Sequence, residues 1–118
     1  MDRIRFVTHG GKQVLLVDAS DCATEELLEV MEETRRKVTA QPRNSVLVLS
    51  DFSGAKFSRD AITRMKEVAV YDRPYVKRSA FVGADSLPKA YYDSLKTFSQ
   101  REFPRFATRE EALEWLTK

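Results

Sequence analysis

One cysteine and one histidine are all that 118 residues hold of two side chains much used for metal capture and nucleophilic catalysis. A lone Cys22 excludes an internal disulfide, and a lone His9 excludes the common Cys/His zinc sites. No apolar run approaches the ~20 residues of a membrane helix. A charge excess is missing as well: 20 Lys and Arg stand against 18 Asp and Glu, leaving +2. That balance lacks the clustered surplus base of a nucleic-acid module. The start, Met1-Asp2-Arg3-Ile4-Arg5, does not read as a signal peptide. There is no internal repeat, low-complexity stretch or linker. What these absences leave is one soluble domain of a reducing, cytoplasmic compartment. Its 42% apolar content is ordinary for a globular chain, and this length buries roughly two-thirds of the unfolded surface.

What is present is punctuated clearly. The four glycines and four prolines all fall where one element should give way to another. Two strand-like runs, residues 3–8 and 13–18, flank Gly10-Gly11, a loop in which both positions tolerate positive φ. Ile4 and Phe6 alternate with polar neighbours, predicting a half-buried edge strand, whereas Val14-Leu15-Leu16-Val17 is apolar on both faces, as in a sheet interior. A helix is predicted over 22–40, capped by Ser20 or Asp21, with its acids ahead of its bases as the helix dipole favours. A buried strand around Val46-Leu47-Val48-Leu49 follows, then a helix over 59–71 capped by Ser58. A strand over 78–82 comes next, then a helix carrying Leu87, Tyr91, Leu95 and Phe98 with Pro88 in its first turn. A short edge strand over 103–107 and a helix opened by the capping box Thr108-Arg109-Glu110-Glu111 complete the chain. The order β-β-α-β-α-β-α-β-α predicts a single α/β domain. Its five-stranded sheet is mostly parallel, with the N-terminal hairpin strand antiparallel, and about four helices flank it.

Three stretches resemble the SpoIIAA-like family, grouped with STAS and SEC14-type domains, in the right order over nearly the whole chain. They are Val48-Leu49-Ser50-Asp51-Phe52-Ser53-Gly54-Ala55-Lys56-Phe57, then Val76-Lys77-Arg78-Ser79-Ala80-Phe81-Val82-Gly83, then Phe106-Ala107-Thr108-Arg109-Glu110-Glu111-Ala112-Leu113-Glu114-Trp115-Leu116. The resemblance implies a non-enzymatic regulatory domain that works through protein contacts, as bacterial anti-sigma-factor antagonists do. Its contact surface is then the turn bearing Ser53, Gly54, Ser58 and Asp60. The antagonists carry a phosphorylatable serine where this chain has Asp60, and Ser58 reads as the helix cap. SEC14-type relatives imply an alternative, a small apolar or lipid ligand held by Tyr91, Leu95, Phe98 and Phe106.

Asp18, Asp51 and Asp85 end three strands, whose tips in an open parallel sheet face one ligand crevice. Converging carboxylates suit Mg²⁺ and a phosphoryl enzyme, the third reading. Local capping and Asx turns account for the same acids, and no glycine-rich phosphate cradle accompanies them. No metal or cofactor is therefore expected. Cys22 lacks a nearby base and reads as a small buried residue. Arg73, Lys77 and Arg78, with Tyr71 and Tyr75 among them, form the one basic-aromatic cluster, suited to phosphate, an acidic partner or an anionic headgroup. An edge strand or the second helix offers a place for two copies to pair.

Overall fold

A computed structural model describes residues 3–118 as a single α/β domain. Met1 and Asp2, on which part of the leader reading rests, lie outside the described residues. The elements are β1 (Ile4–His9), β2 (Lys12–Asp18), α1 (Thr24–Thr39), β3 (Val46–Asp51), α2 (Arg59–Asp72), β4 (Val76–Val82), α3 (Lys89–Ser99), β5 (Arg105–Phe106) and α4 (Arg109–Leu116). A 3₁₀ turn spans Ala84–Ser86.

The sheet runs β1-β2-β3-β4-β5, with β1 antiparallel to β2 and every other pair parallel. This is the mixed sheet predicted from element order. The hairpin forms as its glycines dictate: Gly10 and Gly11 take φ of 56° and 79°, which closes the chain from His9 to Lys12.

Strand order decides the layering. Crossovers of fixed hand that always step in the same direction place their helices on one face. Leu15, Val17, Val46, Val48 and Phe81 accordingly pack under α1, α2 and α3 in one core. Residues of opposite parity, Val14, Leu16, Leu47, Leu49, Ala80 and Val82, form a second core with Ala112 and Leu116 of α4. Because the order never reverses, the sheet has no topological switch point, and the strand tips do not open the crevice that such a point creates.

Local differences have local causes. α1 begins two residues late because neither predicted cap is free: the Ser20 hydroxyl donates to Asp18, and Asp21 adopts a φ of 56°. The Glu26 carboxylate instead accepts from the Ala23 N–H at 3.1 Å. Ser58 and Thr108 do cap α2 and α4, accepting from the Ala61 and Glu111 N–H groups. Pro88 occupies the position just ahead of α3 rather than its first turn. β4 starts at Val76, and β5 shrinks to two residues, with the Pro104 carbonyl still accepting from the Phe81 N–H at 2.9 Å. On β1 the core takes Ile4 but leaves Phe6 40% exposed.

Candidate functional site

Asp18 and Asp51 are register partners at the ends of β2 and β3. Their parity is that of Leu16 and Leu49, so both carboxylates emerge on the face that α4 covers. α4 begins at Arg109, whose guanidinium enters between them. It donates from Nε to Asp51 at 2.7 Å and pairs with Asp18 at 3.3 Å. Each acid also accepts from the serine two residues on. Asp18 receives the Ser20 N–H at 3.1 Å and its hydroxyl at 2.5 Å; Asp51 receives the Ser53 N–H at 2.9 Å and its hydroxyl at 2.7 Å. These are two Asx turns built on one Asp-x-Ser pattern.

The electrostatics follow from that geometry. Burial works to raise the pKa of Asp51, but its bonds from Ser53 and Arg109 outweigh it and hold the carboxyl below its ordinary 3.8. Asp18 is likewise lowered, against burial, by Ser20, Arg109 and Arg3. The guanidinium is stabilised in return, its pKa raised by the two acids despite partial burial. The space between the two acids, where converging carboxylates would suit Mg²⁺, is thus filled by the chain's own cation. Asp85, exposed on the 3₁₀ turn, joins neither acid in any hydrogen bond or ion pair seen among the described residues. Nor does any group of three or more His, Cys, Asp or Glu among them suit a metal ion.

The turn beyond β3 is exposed at Ser53, Gly54 and Asp60, and half-buried at Ser58. It is braced from two sides. The Asp21 N–H donates to the Ser53 carbonyl at 2.8 Å, and Gly83, at φ 67°, lies so close that a Cβ there would stand 2.8 Å from the Ser53 backbone. Only glycine fits that approach.

Of the four residues expected around an apolar ligand, the structure brings only Leu95 to the interior. Tyr91 and Phe98 are 38% and 58% exposed, and Phe106 packs on Trp115 across the sheet. α3 is rotated from its expected phase: Tyr92, Leu95 and Ser99 point inward. Ser99 can be buried because its hydroxyl donates to the Leu95 carbonyl at 2.7 Å. The aromatics that converge are Phe52, Phe81, Tyr92 and Phe103, with Phe81 and Phe103 stacked at 4.8 Å.

Beside them lies a cavity of about 60 Å³ between the sheet and α1–α3. Its walls include Val48, Met65 and Leu95, but also Asp72 and Arg101, which sequence reasoning missed. Asp72 is 4% exposed, and its Oδ1 has no hydrogen-bond partner. Burial pushes its pKa up to about 6 against the pull of Arg101 and Arg35. Burial also draws Arg101 down to about 10, although Asp72 works to raise it. Arg101 donates to the Ala69 carbonyl at 3.0 Å and the Ser79 hydroxyl at 2.6 Å. The charge of Asp72 near a helix end gave no sign of burial; the inward run Met65, Val68, Ala69 was the available signal, since residue 72 continues it.

Cys22 is fully buried just ahead of α1, and burial raises its thiol pKa. His9 lies 3.0 Å from Glu114 beside the hairpin. No family model, curated protein or solved structure matches the chain.

Proposed function

We propose that this chain is a non-enzymatic protein-interaction domain of regulatory type. Its contact surface runs along α2, from the Ser53–Asp60 turn that opens it, onto the adjoining α3. One observation carries this reading. Of the five large apolar side chains exposed among the described residues, four lie on these two helices: Val70, Tyr71, Tyr91 and Phe98. Exposed apolar groups gathered on one layer mark a contact face, whereas scattered ones need no explanation. The helices are tied across this face by Lys66, whose ammonium donates to Ser94 at 3.1 Å and lies 5.8 Å from the Phe98 ring centre.

The engagement of Asp18 and Asp51 with Arg109 supports the same reading. It spends the strand-end acids on bracing the exposed turn. The resemblance to anti-sigma-factor antagonists points to that turn as well. A lipid-binding role has weaker support, because 60 Å³ is far below the roughly 300–1,000 Å³ of small-molecule pockets.

The test compares capture of partners from the native cell extract by three proteins. Tyr71→Glu with Phe98→Glu should abolish recovery of partners held by wild type. Phe6→Glu, an exposed apolar residue on the β1 edge, should retain them. Identical recovery by all three removes α2 and α3 as the contact face.

A further inference from the structure

The end of the sheet opposite Asp18 and Asp51 has a different chemistry. A groove of about 360 Å³ is lined by Arg73, Lys77, Arg78 and Arg101, with Trp115 closing one side. A second groove, of about 290 Å³, shares Lys77 and Arg78 with the first and adds Lys12 and Lys118. Six cations line the joined grooves against one acid, Glu102, in a chain whose charges otherwise nearly cancel.

Their side chains divide into two kinds. Arg78 is held in place: it donates to the Trp115 carbonyl at 2.9 Å and lies 5.2 Å from the indole centre. Arg101 is anchored to Ala69 and Ser79, with Asp72 behind it offsetting part of its charge. By contrast, Lys12, Arg73, Lys77 and Lys118 are exposed, and no side-chain hydrogen bond or ion pair is seen for them among the described residues. Elsewhere many cations are already paired, as Arg35 with Glu32, Arg36 with Glu33, Lys89 with Asp93 and Arg109 with its two aspartates.

We infer that these joined grooves bind a small molecule carrying two or more linked phosphate groups. The volume of the larger groove falls in the small-ligand range. Fixed guanidinium groups give directed donors to phosphate oxygens, and mobile ammonium groups supply the rest of the counter-charge. Linked phosphates match six cations held in so small a space better than a carboxylate ligand, which carries less charge per volume. Nucleic acid is disfavoured because a duplex needs cations along an extended track, and these stop at two short grooves. The inference is independent of the contact face on α2 and α3.

The probe is inorganic tripolyphosphate, titrated into the whole chain while backbone amide shifts are followed by NMR. Saturable shifts should appear at Arg73, Lys77, Arg78 and residues 100–102, with affinity at least about tenfold above that for orthophosphate, as each added charge contact predicts. A nucleoside triphosphate run alongside separates a ligand bearing a ring from a bare phosphate chain; either one outbinding orthophosphate supports the inference. Arg73→Gln with Lys77→Gln should weaken tripolyphosphate binding about tenfold without changing the melting temperature. Lys56→Gln with Arg59→Gln, two exposed cations at the other end of α2, should leave binding intact. The inference fails if tripolyphosphate gives no saturable shifts, or if both variant pairs bind it as wild type does. It also fails if both pairs lose affinity equally, or if a DNA duplex binds these grooves more tightly than tripolyphosphate.

Discussion

Arg109 Nε stands 2.7 Å from Asp51 Oδ2, so the first residue of α4 is bonded to the last residue of β3. Asp51 is 6% exposed, and its other oxygen is taken by Ser53. Removing the guanidinium therefore strands a largely buried carboxylate and loosens the start of α4. Arg109→Met should cost about 1–3 kcal/mol, because the arginine itself is only partly buried. Urea denaturation measures it, and a change within error would show that Arg109 is an ornament of the surface.

The same contacts set an acid limit. Asp18 and Asp51 have folded pKa values below their ordinary 3.8. Each contributes stability that is complete above the unfolded value and lost as pH falls through the folded one. Acid unfolding should therefore steepen below about pH 4, and Asp51→Asn should soften that limb while lowering stability at pH 7. An unchanged acid limb in the variant would break the assignment.

Asp72 works in the opposite direction. Its folded pKa, about 6, lies above the unfolded value, so the fold prefers the protonated acid. The contribution is complete below about pH 4 and declines as pH rises to about 6, by up to about 3 kcal/mol. Asp72→Asn should flatten the stability curve between those limits. Parallel curves for the two proteins in urea melts at pH 4, 5, 6 and 7 would refute this.

Because Arg109 already occupies the space between the strand-end acids and pairs with both, millimolar Mg²⁺ should not raise the melting temperature of the wild-type chain. A thermal-shift titration checks this directly; a rise that Asp51→Asn abolishes would return a cation to the site and reopen the enzyme reading.

Gly83 and Gly11 both have positive φ, 67° and 79°, but only Gly83 is crowded, against Ser53. Gly11→Ala should carry the strain alone, about 1 kcal/mol. Gly83→Ala should lose about 2–3 kcal/mol as the Ser53 turn is pushed away. Equal losses in the two variants would show that the close approach carries no weight.

The sheet was readable because its signals are local. Gly10-Gly11 specifies a hairpin, and the unbroken apolar runs at 14–17 and 46–49 specify interior strands whatever surrounds them. The expectation that failed to converge on the interior, Tyr91 and Phe98 around a pocket, rests on a helix phase. Rotating α3 by about one residue exchanges Tyr91 for Tyr92, and the buried Ser99 hydroxyl makes that exchange affordable in a way no hydropathy pattern reveals. The strand ends brought Asp18 and Asp51 together in the sequence, but the place of Arg109 between them was not legible there, for another reason. Arg109 lies far from both acids in sequence, and only the parity of the two strands combined with the side of the sheet taken by α4 brings it to them. Arg109 could have been suspected, since the acids share parity with Leu16 and Leu49.

Strand order also governs how the chain is made. Each strand pairs with the one before it, so β1 to β4 and the three-helix layer can assemble in step with synthesis. The second face has no such early cover. Val14, Leu16, Leu47, Leu49, Ala80 and Val82 wait for α4, the last helix in chain order. Until α4 docks, the sheet keeps one greasy side open, a surface suited to capture by chaperones or to sticking to its own copies.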